Sequence, residues 1–574
     1  QMNAERLLKL YDRVAEAPDA IERLRKFVLD LAVRGKLVEQ APEDEPAEEL
    51  LERIAAEKER LVKTGAIRKP RAAPALEPED IAYPTPDGWA WSQIAKIGVI
   101  SPRNEADDDL HASFVPMPLI SAELGVPHQH EVRPWRAIKK GYTHFAEGDV
   151  GLAKITPCFE NGKSTVFRNL TGGIGAGTTE LHIVRPILVN ADYVLLFLKS
   201  PQFIETGIPR MTGTAGQKRV PKEYFTSSPF PLPPLPEQHR IVAKVDELMA
   251  LLDNLETTRT QRETTRDRLT TASLTRLTAP ETTEKDFPGH ARFALDNLEQ
   301  LTSRPDQIKV LRQTILNLAV RGKLVEQDPG NEPASGLLQR IAEAKNRIGI
   351  KHFLAPLSGD EVPFELPAGW AWTRVGEICS KTGSGSTPRG GKAVYRKSGI
   401  PFLRSQNVYN DGLRLDDVAF IDPRTHERMK GTRVLPGDLL LNITGGSIGR
   451  CCRVPDNFEE ANISQHVAII RPAVEGIAEF LHELILSPYF QFFIFDEQTG
   501  AGRGGLPKNR MDRIAVALPP LAEQRRIVKQ VDTLMKLCDK LELTKSGNDT
   551  TRARLLDLLL HDSLAQDAHN REAA

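Results

Sequence analysis

Short glycine-rich and basic strings hold the residues with the most chemical potential, and each string lacks part of the pattern that an enzyme needs. The string NGKST at 161–165 resembles the end of a phosphate-binding P-loop, but Pro157 stands where that loop requires a glycine. The glycine pairs that begin at Gly172 and Gly383 lack the GxGxxG spacing and the later acidic residue of a dinucleotide site. We interpret these strings as turns.

Other catalytic and metal-binding patterns are also missing. The sequence has no GxSxG elbow, no HExxH helix and no NPPY-like or DPPY-like tetrapeptide of the kind that holds a flipped base in amino-methyltransferases. His128 and His130 could bind a metal, but without a third ligand we interpret them as surface residues. The five cysteines form no CxxC pair, which predicts buried thiols. We expect a chain without a catalytic, cofactor or metal site.

The elements that position these strings are duplicated, with a period of about 286 residues. The paired blocks are LAVRGKLVEQ at 31–40 and 318–327, PDGWAW at 86–91 with PAGWAW at 367–372, and LPPLPEQHRIV from Leu232 with LPPLAEQRRIV from Leu518. The middle of the chain holds a copy of the C-terminal block followed by a copy of the N-terminal block. This order predicts a pseudo-two-fold, circular repeat in which the two chain ends meet.

The repeated blocks are predicted to be mainly helical. Apolar residues recur at the a and d spacing of a coiled coil after each LPPL string, at 241, 245, 248, 252 and 255 and again at 527, 531, 534, 538 and 541. Residues 237–277 contain no proline or glycine, and one helix over that range is about 60 Å long. We also predict helices over 24–38 and 311–325, with Gly35 and Gly322 near their ends.

The stretches between the blocks predict two α/β domains, because short β-rich runs such as AFI, DLLLNIT and HVAIIRP alternate with glycine and proline turns. We place the first variable domain at 93–230 and the second variable domain at 373–516. The rest divides into an N-terminal region at 1–92, a central region at 231–372 and a C-terminal region at 517–574. The proline-rich residues 64–87 are interpreted as a linker or an extended arm with little capacity to form a core.

Length and charge limit the function. The 574 residues predict about three to five structural units, and 76 basic against 77 acidic residues exclude a uniformly basic nucleic-acid binder. The net charge is nevertheless +2 in the first variable domain, +3 in the second and −6 elsewhere, as in a DNA reader with an acidic frame. Apolar runs are too short to span a membrane, and the charged N-terminal residues show no signal-peptide core, which predicts a cytoplasmic protein.

The doubled LAVRGKLVEQ, the doubled LPPLxEQxRIV with its coiled-coil rhythm and the PxGWAW strings resemble the specificity subunits of type I restriction-modification systems. Among these, the chain is most similar to the EcoAI-type (type IB) group. The resemblance covers almost the whole chain. It implies two target recognition domains held apart by antiparallel conserved helices, each domain reading one half of an asymmetric bipartite DNA sequence.

The resemblance also implies partners and their cofactors. Two modification subunits would bind S-adenosylmethionine and methylate adenine, and two restriction subunits would translocate and cut double-stranded DNA with ATP and Mg. This chain would supply recognition and a platform for assembly in a restriction system that defends against phage, with no active site of its own. Because one turn of DNA is about 34 to 36 Å long, the length of the helices would set the distance between the half-sites.

Polar loops in the variable domains carry the side-chain types that read bases, arginine or lysine for guanine and asparagine or glutamine for adenine. The candidate DNA contacts are Lys154, Asn161, Lys163, Arg210, Gln217, Lys218 and Arg219 in the first variable domain, and Arg404, Gln406, Asn407, Arg450, Arg503, Lys508 and Arg510 in the second. Gln406 and Asn407 are the strongest, because the RSQN string is predicted to be exposed at a strand end.

Two other functions are compatible with the pattern. A coiled-coil tether whose variable domains bind proteins would not retain DNA sequence-specifically or co-purify with a methyltransferase. A self-contained methyltransferase would bind S-adenosylmethionine by itself, although its motifs are missing.

Overall fold

A computed structural model of the chain describes residues 16–17, 19–69, 74–214, 216–279, 281–283, 285–350, 354–355, 357–388, 390, 394–495 and 505–565. The chain folds into two compact units, one made of Gln1–Gln261 with Asn548–Ala574 and the other of Arg262–Gly547. No helix in the described part of the chain is both long enough and apolar enough to cross a bilayer.

The first unit begins with two helices, continues with the first variable domain and ends in the start of a long helix. Its helices are α1 (Ala20–Val33), α2 (Ala47–Lys63), α3 (Ile94–Ile97), α4 (Trp135–Ile138), α5 (Ala191–Lys199), α6 (Pro201–Gly207), α7 (Lys222–Ser227) and α8 (Leu235–Thr278). Its strands are β1 (Ala90–Gln93), β2 (Gly98–Ile100), β3 (His111–Val115), β4 (Glu131–Pro134), β5 (Thr143–Ala146), β6 (Val150–Ala153), β7 (Ser164–Val166), β8 (Ile174–Gly177), β9 (Leu181–Pro186) and β10 (Pro229–Leu232).

The second unit repeats this order around the second variable domain. Its helices are α9 (Phe287–Asp296), α10 (Leu298–Leu301), α11 (Pro305–Val320), α12 (Ala334–Arg347), α13 (Val375–Ile378), α14 (Pro423–Arg428), α15 (Ala478–Leu486), α16 (Pro488–Phe495), α17 (Lys508–Arg513) and α18 (Leu521–Ala565). Its strands are β11 (Ala371–Arg374), β12 (Cys379–Ser384), β13 (Ile400–Leu403), β14 (Val408–Tyr409), β15 (Gly412–Leu413), β16 (Ala419–Ile421), β17 (Arg433–Val434), β18 (Leu439–Asn442), β19 (Cys451–Arg453), β20 (Ala461–Ile463), β21 (Val467–Pro472) and β22 (Ala515–Leu518).

The two variable domains share one sheet topology, which confirms the α/β prediction. The first has one sheet in the order β2, β9, β6, β7 and another in the order β4, β3, β8, β5. The second has the matching orders β12, β21, β18, β19 and β16, β13, β20, β17, and it adds the hairpin β14 and β15. In each domain, one strand pair is parallel, β3 with β8 and β13 with β20, and the other pairs in these sheets are antiparallel.

The GWAW and LPPL blocks pair with each other at the base of each variable domain. Strands β1 and β10 are antiparallel, with Ala90 opposite Leu232, and β11 and β22 are antiparallel, with Ala371 opposite Leu518. The chain therefore leaves each variable domain beside the point where it enters.

Three repeated blocks meet at one buried carboxylate in the first unit. Trp89 of the GWAW block donates its indole N–H to Glu237 Oε2 at 3.0 Å, and Gln40 of the LAVRGKLVEQ block donates Nε2–H to Glu237 Oε1 at 3.0 Å. Burial raises the pKa of Glu237, although these two hydrogen bonds oppose the rise. The second unit repeats the contacts, with Trp370 and Gln327 donating to Glu523 Oε1 at 3.0 and 3.2 Å.

The LAVRGKLVEQ block crosses the end of a helix, so the predicted helices over 24–38 and 311–325 were too long. They end at Val33 and Val320, and Gly35 and Gly322 follow with φ of 66° and 67°. Only glycine adopts such a φ at little cost. A Cβ at Gly35 would also overlap the Pro86 ring.

The proline-rich linker contributes more to packing than the sequence predicted. Tyr83 is buried and donates its hydroxyl to the carbonyl of Val33 at 2.8 Å. Its ring packs against Trp91 with centroids 5.1 Å apart. The linker prediction is therefore wrong for Tyr83, which fastens the chain to the end of α1.

The long helices contribute apolar residues to both units, as the heptad spacing and the circular repeat predicted. Helix α8 is 44 residues long and helix α18 is 45 residues long. The first part of α8 buries Ile241 and Val245 in the core of the first unit, and its end packs Leu274 in the second. Near its end, α18 buries Leu556 against Ala20 in the first unit.

Candidate nucleic-acid interface

A buried aspartate joins two strands at equivalent places in the two variable domains. Arg185 on β9 donates Nε–H and Nη2–H to the two oxygens of Asp149 at 2.7 and 2.9 Å, and Ala146 N–H adds a third hydrogen bond at 2.7 Å. Asp149 is fully buried. Burial raises its pKa, and the Arg185 hydrogen bonds oppose the rise.

In the second variable domain, Arg471 bonds Asp438 in the same way at 2.6 and 2.8 Å, and Leu435 N–H adds a bond at 2.7 Å. These four residues were not among the candidates predicted from the sequence. The signal was present, because each aspartate lies in a repeated GD string and each arginine in a repeated RP string. The Asp149–Arg185 and Asp438–Arg471 pairs each connect strands that lead into the loops with the candidate residues.

The loop between β6 and β7 carries three candidates, Lys154, Asn161 and Lys163, and a second loop packs against it. Val220 N–H donates to the Lys154 carbonyl at 2.8 Å, and Thr156 N–H donates to the Lys218 carbonyl at 3.0 Å. The structure therefore brings Lys154, Gln217, Lys218 and Arg219 together at one end of the sheet. Asn161 and Gln217 are exposed there, and Lys163 is half-buried with its ammonium 3.4 Å from the Met117 carbonyl.

Arg219 is already engaged within the chain. Its Nε and Nη2 donate to Glu180 at 2.9 and 2.8 Å, and its Nη1 donates to the Gln217 carbonyl at 3.1 Å. The hydrogen bonds from Arg219 lower the pKa of the Glu180 carboxyl. Arg210 lies elsewhere in the domain, in a short turn, with its guanidinium 5.5 Å from the Tyr224 ring centroid.

The same loop end is built differently in the second variable domain. Ile443 N–H donates to the His466 carbonyl at 3.0 Å and Leu506 N–H to the Ile443 carbonyl at 3.0 Å, which are the counterparts of the bonds at Lys154. A hydroxyl–imidazole contact, Thr444 Oγ1 with His466 Nδ1 at 2.6 Å, lies where the first domain has its ion pair.

The RSQN string is only partly exposed, so the prediction for Asn407 needs correction. Asn407 is 2% exposed; its Oδ1 accepts from Arg404 N–H at 3.0 Å and its Nδ2 donates to the Arg414 carbonyl at 2.8 Å. The Asn407 side chain therefore stabilises the loop through backbone hydrogen bonds and is not exposed to a ligand. Gln406 is exposed and donates to Asp417 Oδ2 at 2.7 Å, and Arg404 Nη2 donates to the Asp417 carbonyl at 3.0 Å.

Three further candidates lie near the C-terminal end of this domain in the sequence. Lys508 and Arg510 are on helix α17, where the Lys508 ammonium bonds Thr382 Oγ1 at 2.9 Å and pairs with Asp512. Arg503 lies outside the described residues. The remaining candidate, Arg450, follows the loop after β18, and its guanidinium lies 4.7 Å from the centroid of the Tyr409 ring.

The histidine and cysteine predictions have mixed outcomes. His128 is buried, packs against Phe167 and accepts from Arg168 N–H at 3.2 Å, so its assignment as a surface residue was wrong. His130 contacts Thr171 Oγ1 at 3.2 Å. Four of the five free cysteines are buried and Cys158 is half-buried. In the described ranges, no three histidine, cysteine or acidic side chains are grouped closely enough to hold a metal ion.

Known proteins with similar sequences include specificity subunits of type I restriction enzymes. The family model described as type I restriction modification DNA specificity domain matches residues 367–547. The chain is 37% identical over 551 residues to the type I restriction enzyme EcoAI specificity subunit of Escherichia coli, covering 94% of this chain and 93% of that protein. It is also 37% identical over 571 residues to the EcoEI specificity subunit of Escherichia coli, covering 95% and 94%.

A solved structure titled "Structural basis underlying complex assembly and conformational transition of the type I R-M system" has a similar fold. It matches 84% of this chain and 98% of its own chain with a TM-score of 0.50 and 18% identity.

Proposed function

The chain belongs to the family of type I restriction enzyme specificity subunits, and from this membership we propose that it selects the DNA sequence on which a type I restriction-modification complex acts. Each variable domain is a target recognition domain that reads one half of a bipartite, asymmetric target. The constant helices set the spacing between the halves and dock the modification subunits.

One observation carries this proposal. The two variable domains have the same strand order, yet at the same loop end one presents Arg219 with Glu180 and the other Thr444 with His466. The two domains share a fold but carry different side chains at the same loop end. Such a pair is suited to binding DNA in the same way while reading two different sequences. Base edges are distinguished by the donors and acceptors that face them, so exchanging those side chains changes the sequence that is read.

The partners follow from the proposed role. Two modification subunits bind S-adenosylmethionine and methylate adenine within the target, and two restriction subunits use ATP and Mg to translocate and cut double-stranded DNA. This chain supplies no reacting group to either step. The complex works in the cytoplasm, where its DNA is.

Exchange of one domain tests whether the two domains read independently. Residues 93–230 are replaced with the corresponding domain of another specificity subunit, and the chimera is expressed with its modification subunit. Methylome sequencing should show one new half-site and one unchanged half-site. A change in both half-sites would contradict independent reading by the two domains.

Shortening the helices tests the spacing role. Deletion of one heptad from each of the matched helices, after Glu237 and after Glu523, should change the number of base pairs between the half-sites and leave both half-sites intact. A methylome with unchanged spacing would refute this part of the proposal.

The modest positive charge of the variable domains has its own consequence. A protein that neutralises few phosphates binds DNA weakly at physiological salt. The isolated chain should therefore bind its target much more weakly than the complex with modification subunits does, as measured by fluorescence anisotropy over a salt series. Equal affinity with and without those subunits would contradict this expectation.

A further inference from the structure

Two arginines lie over one tyrosine ring in the second variable domain. The guanidinium carbons of Arg450 and Arg414 are 4.7 and 5.1 Å from the centroid of the Tyr409 ring. Tyr409 is on the hairpin of β14 and β15, and the described residues of the first variable domain form no hairpin between β3 and β4. An arginine that stacks on an aromatic ring uses its face and keeps its N–H edge available to another group.

The two arginines differ in what their edges contact. Arg414 Nη2 donates to Asp411 Oδ2 at 2.6 Å, and this hydrogen bond lowers the pKa of Asp411. The half-buried Arg450 makes no side-chain hydrogen bond or ion pair with any residue that the structure describes. The Tyr409 ring therefore holds the Arg450 guanidinium in place, while its N–H donors have no acceptor in the described chain. A guanidinium fixed in this way is available to bind a ligand.

The charge around this guanidinium indicates which ligand it suits. The hairpin turn carries Asp411, and the segment that follows β15 carries Asp416 and Asp417; the side chains of Asp411 and Asp417 are 71% and 88% exposed. Like charges close together repel each other, so these exposed carboxylates disfavour a backbone phosphate. A base edge is uncharged. The guanine edge offers two acceptors, O6 and N7, at the spacing of an arginine fork.

We propose that Arg450 reads a guanine in the half-site of the second variable domain, with Tyr409 and Arg414 as positioning residues. Tyr409 fixes the plane of the guanidinium, and Arg414, tied to Asp411, restricts the ring. This proposal rests on the proposed function, because it specifies one contact of the recognition that the function requires.

Methylome sequencing of variants in the complex with the modification subunit is the first test. R450A should relax one guanine position of the second half-site, and R450K should relax the same position partly, because lysine keeps the charge and loses the fork. The control R424A removes an exposed arginine of the same domain and should leave the motif unchanged. A wild-type motif without a bipartite form would refute the proposed function, whereas a bipartite motif that R450A does not alter would overturn only the role of Arg450.

A binding experiment decides the case if R450A abolishes methylation. The purified complex is titrated with duplexes that carry 7-deazaguanine, which lacks N7, at each guanine of the half-site. Wild type should lose about 10-fold in affinity at one position, the size expected when one of the two hydrogen bonds of the arginine fork is removed, and R450A should be insensitive there. A loss in R450A that is equal for all sequences, with a shallower salt dependence, would identify a phosphate contact and overturn the proposal.

The positioning role of Tyr409 predicts a different pattern from loss of folding. Y409A should relax the same guanine position as R450A while its melting temperature stays near that of wild type, and Y409F, which keeps the ring, should restore the wild-type motif. If Y409F is as relaxed as Y409A, or if the relaxed positions of Y409A and R450A differ, the ring does not position Arg450.

Discussion

The two variable domains differ least where they are buried and most at one exposed edge. Both have the same strand order and a buried aspartate bound by an arginine, Asp149 with Arg185 and Asp438 with Arg471. At the loop end, an ion pair in one domain corresponds to a hydroxyl–imidazole contact in the other, and among the described residues the β14 and β15 hairpin with Tyr409 occurs in the second domain alone. The comparison indicates that the buried pairs carry the fold and the exposed edge carries the specificity.

The largest effect is expected from breaking the shared buried pair. Asp149→Ala removes a fully buried carboxylate that accepts three hydrogen bonds and leaves the Arg185 and Ala146 donors without their acceptor, so it should lower the free energy of unfolding of the first variable domain by about 3–5 kcal/mol. Asp438→Ala should do the same in the second. Hydrogen exchange with mass spectrometry measures the local unfolding of each domain separately.

The matched control for these variants is Asp456→Ala, which removes the 77% exposed partner of Arg453 and should change local stability little. If Asp149→Ala and Asp438→Ala differ greatly from each other, the two scaffolds are not equivalent. If neither differs from Asp456→Ala, the buried pairs do not support the fold.

A second pair of substitutions compares the constant blocks of the two units. Gly35→Ala and Gly322→Ala place a Cβ at positive φ against the rings of Pro86 and Pro367. We expect each to destabilise its own unit by about 2–4 kcal/mol, the sum of the backbone cost and the steric overlap.

Gly65→Ala is the control for the backbone cost alone, since Gly65 has φ of 73° and a Cβ at this position would meet no heavy atom within 4 Å. Thermal melting of the three variants should place Gly65→Ala closest to wild type. Equal losses in all three would show that the contact with the proline ring is unimportant.

The third prediction concerns a position where the two units differ inside a repeated block. Asp30 on α1 corresponds to Asn317 on α11. Burial, with a smaller contribution from the charge of Glu205, raises the pKa of Asp30 to about 6, although Arg34 and the backbone N–H of Gln202 oppose the rise. Its Oδ1 and the Gln202 Oε1 are buried without a hydrogen-bond partner in the described chain.

A raised pKa in the folded state means that ionised Asp30 opposes folding. The cost is absent below the unfolded pKa of 3.8 and grows until the pH exceeds about 6. Asp30→Asn should therefore stabilise the first unit by about 1–3 kcal/mol at pH 8 and by less at pH 5, as seen in the difference in melting temperature. The reverse change, Asn317→Asp, should destabilise the second unit at pH 8. A gain for Asp30→Asn that does not depend on pH would refute the titration.

Local and repeated features of the fold could be predicted from the sequence. The runs AFI, DLLLNIT and HVAIIRP contain the strands β16, β18 and β21, and the heptad spacing predicted the long helices. Duplication made the two halves equivalent, because identical strings must satisfy the same contacts.

Contacts between distant residues could not be predicted. Trp89 reaches Glu237 across 148 residues, and no local pattern shows that these blocks meet. The exposure of Asn407 was predicted wrongly because an asparagine amide can bond either a base or the backbone. Its Nδ2 donates to the Arg414 carbonyl. That carbonyl follows a hairpin that was not predicted from the sequence. Most candidate contacts depend on loops in the same way, which is why the sequence names residue types more reliably than it names contacts.

The smallest effect on stability is expected where the two domains differ most. The side chains of Arg219 and Glu180 are 43% and 24% exposed, and such surface pairs contribute little to folding because water screens them.

Arg219 also lies opposite Ile155 in an isolated bridge, whereas the corresponding Gly505 leaves room for Thr444. The triple exchange Ile155→Thr, Glu180→His and Arg219→Gly should therefore install the hydroxyl–imidazole contact of the second domain in the first. We expect its melting temperature to stay within about 2 °C of wild type and its methylome to change only in the first half-site. A large loss of stability with an unchanged methylation motif would contradict this view of the two domains. The exposed loop end would then support the fold, and other residues would determine the DNA sequence that is read.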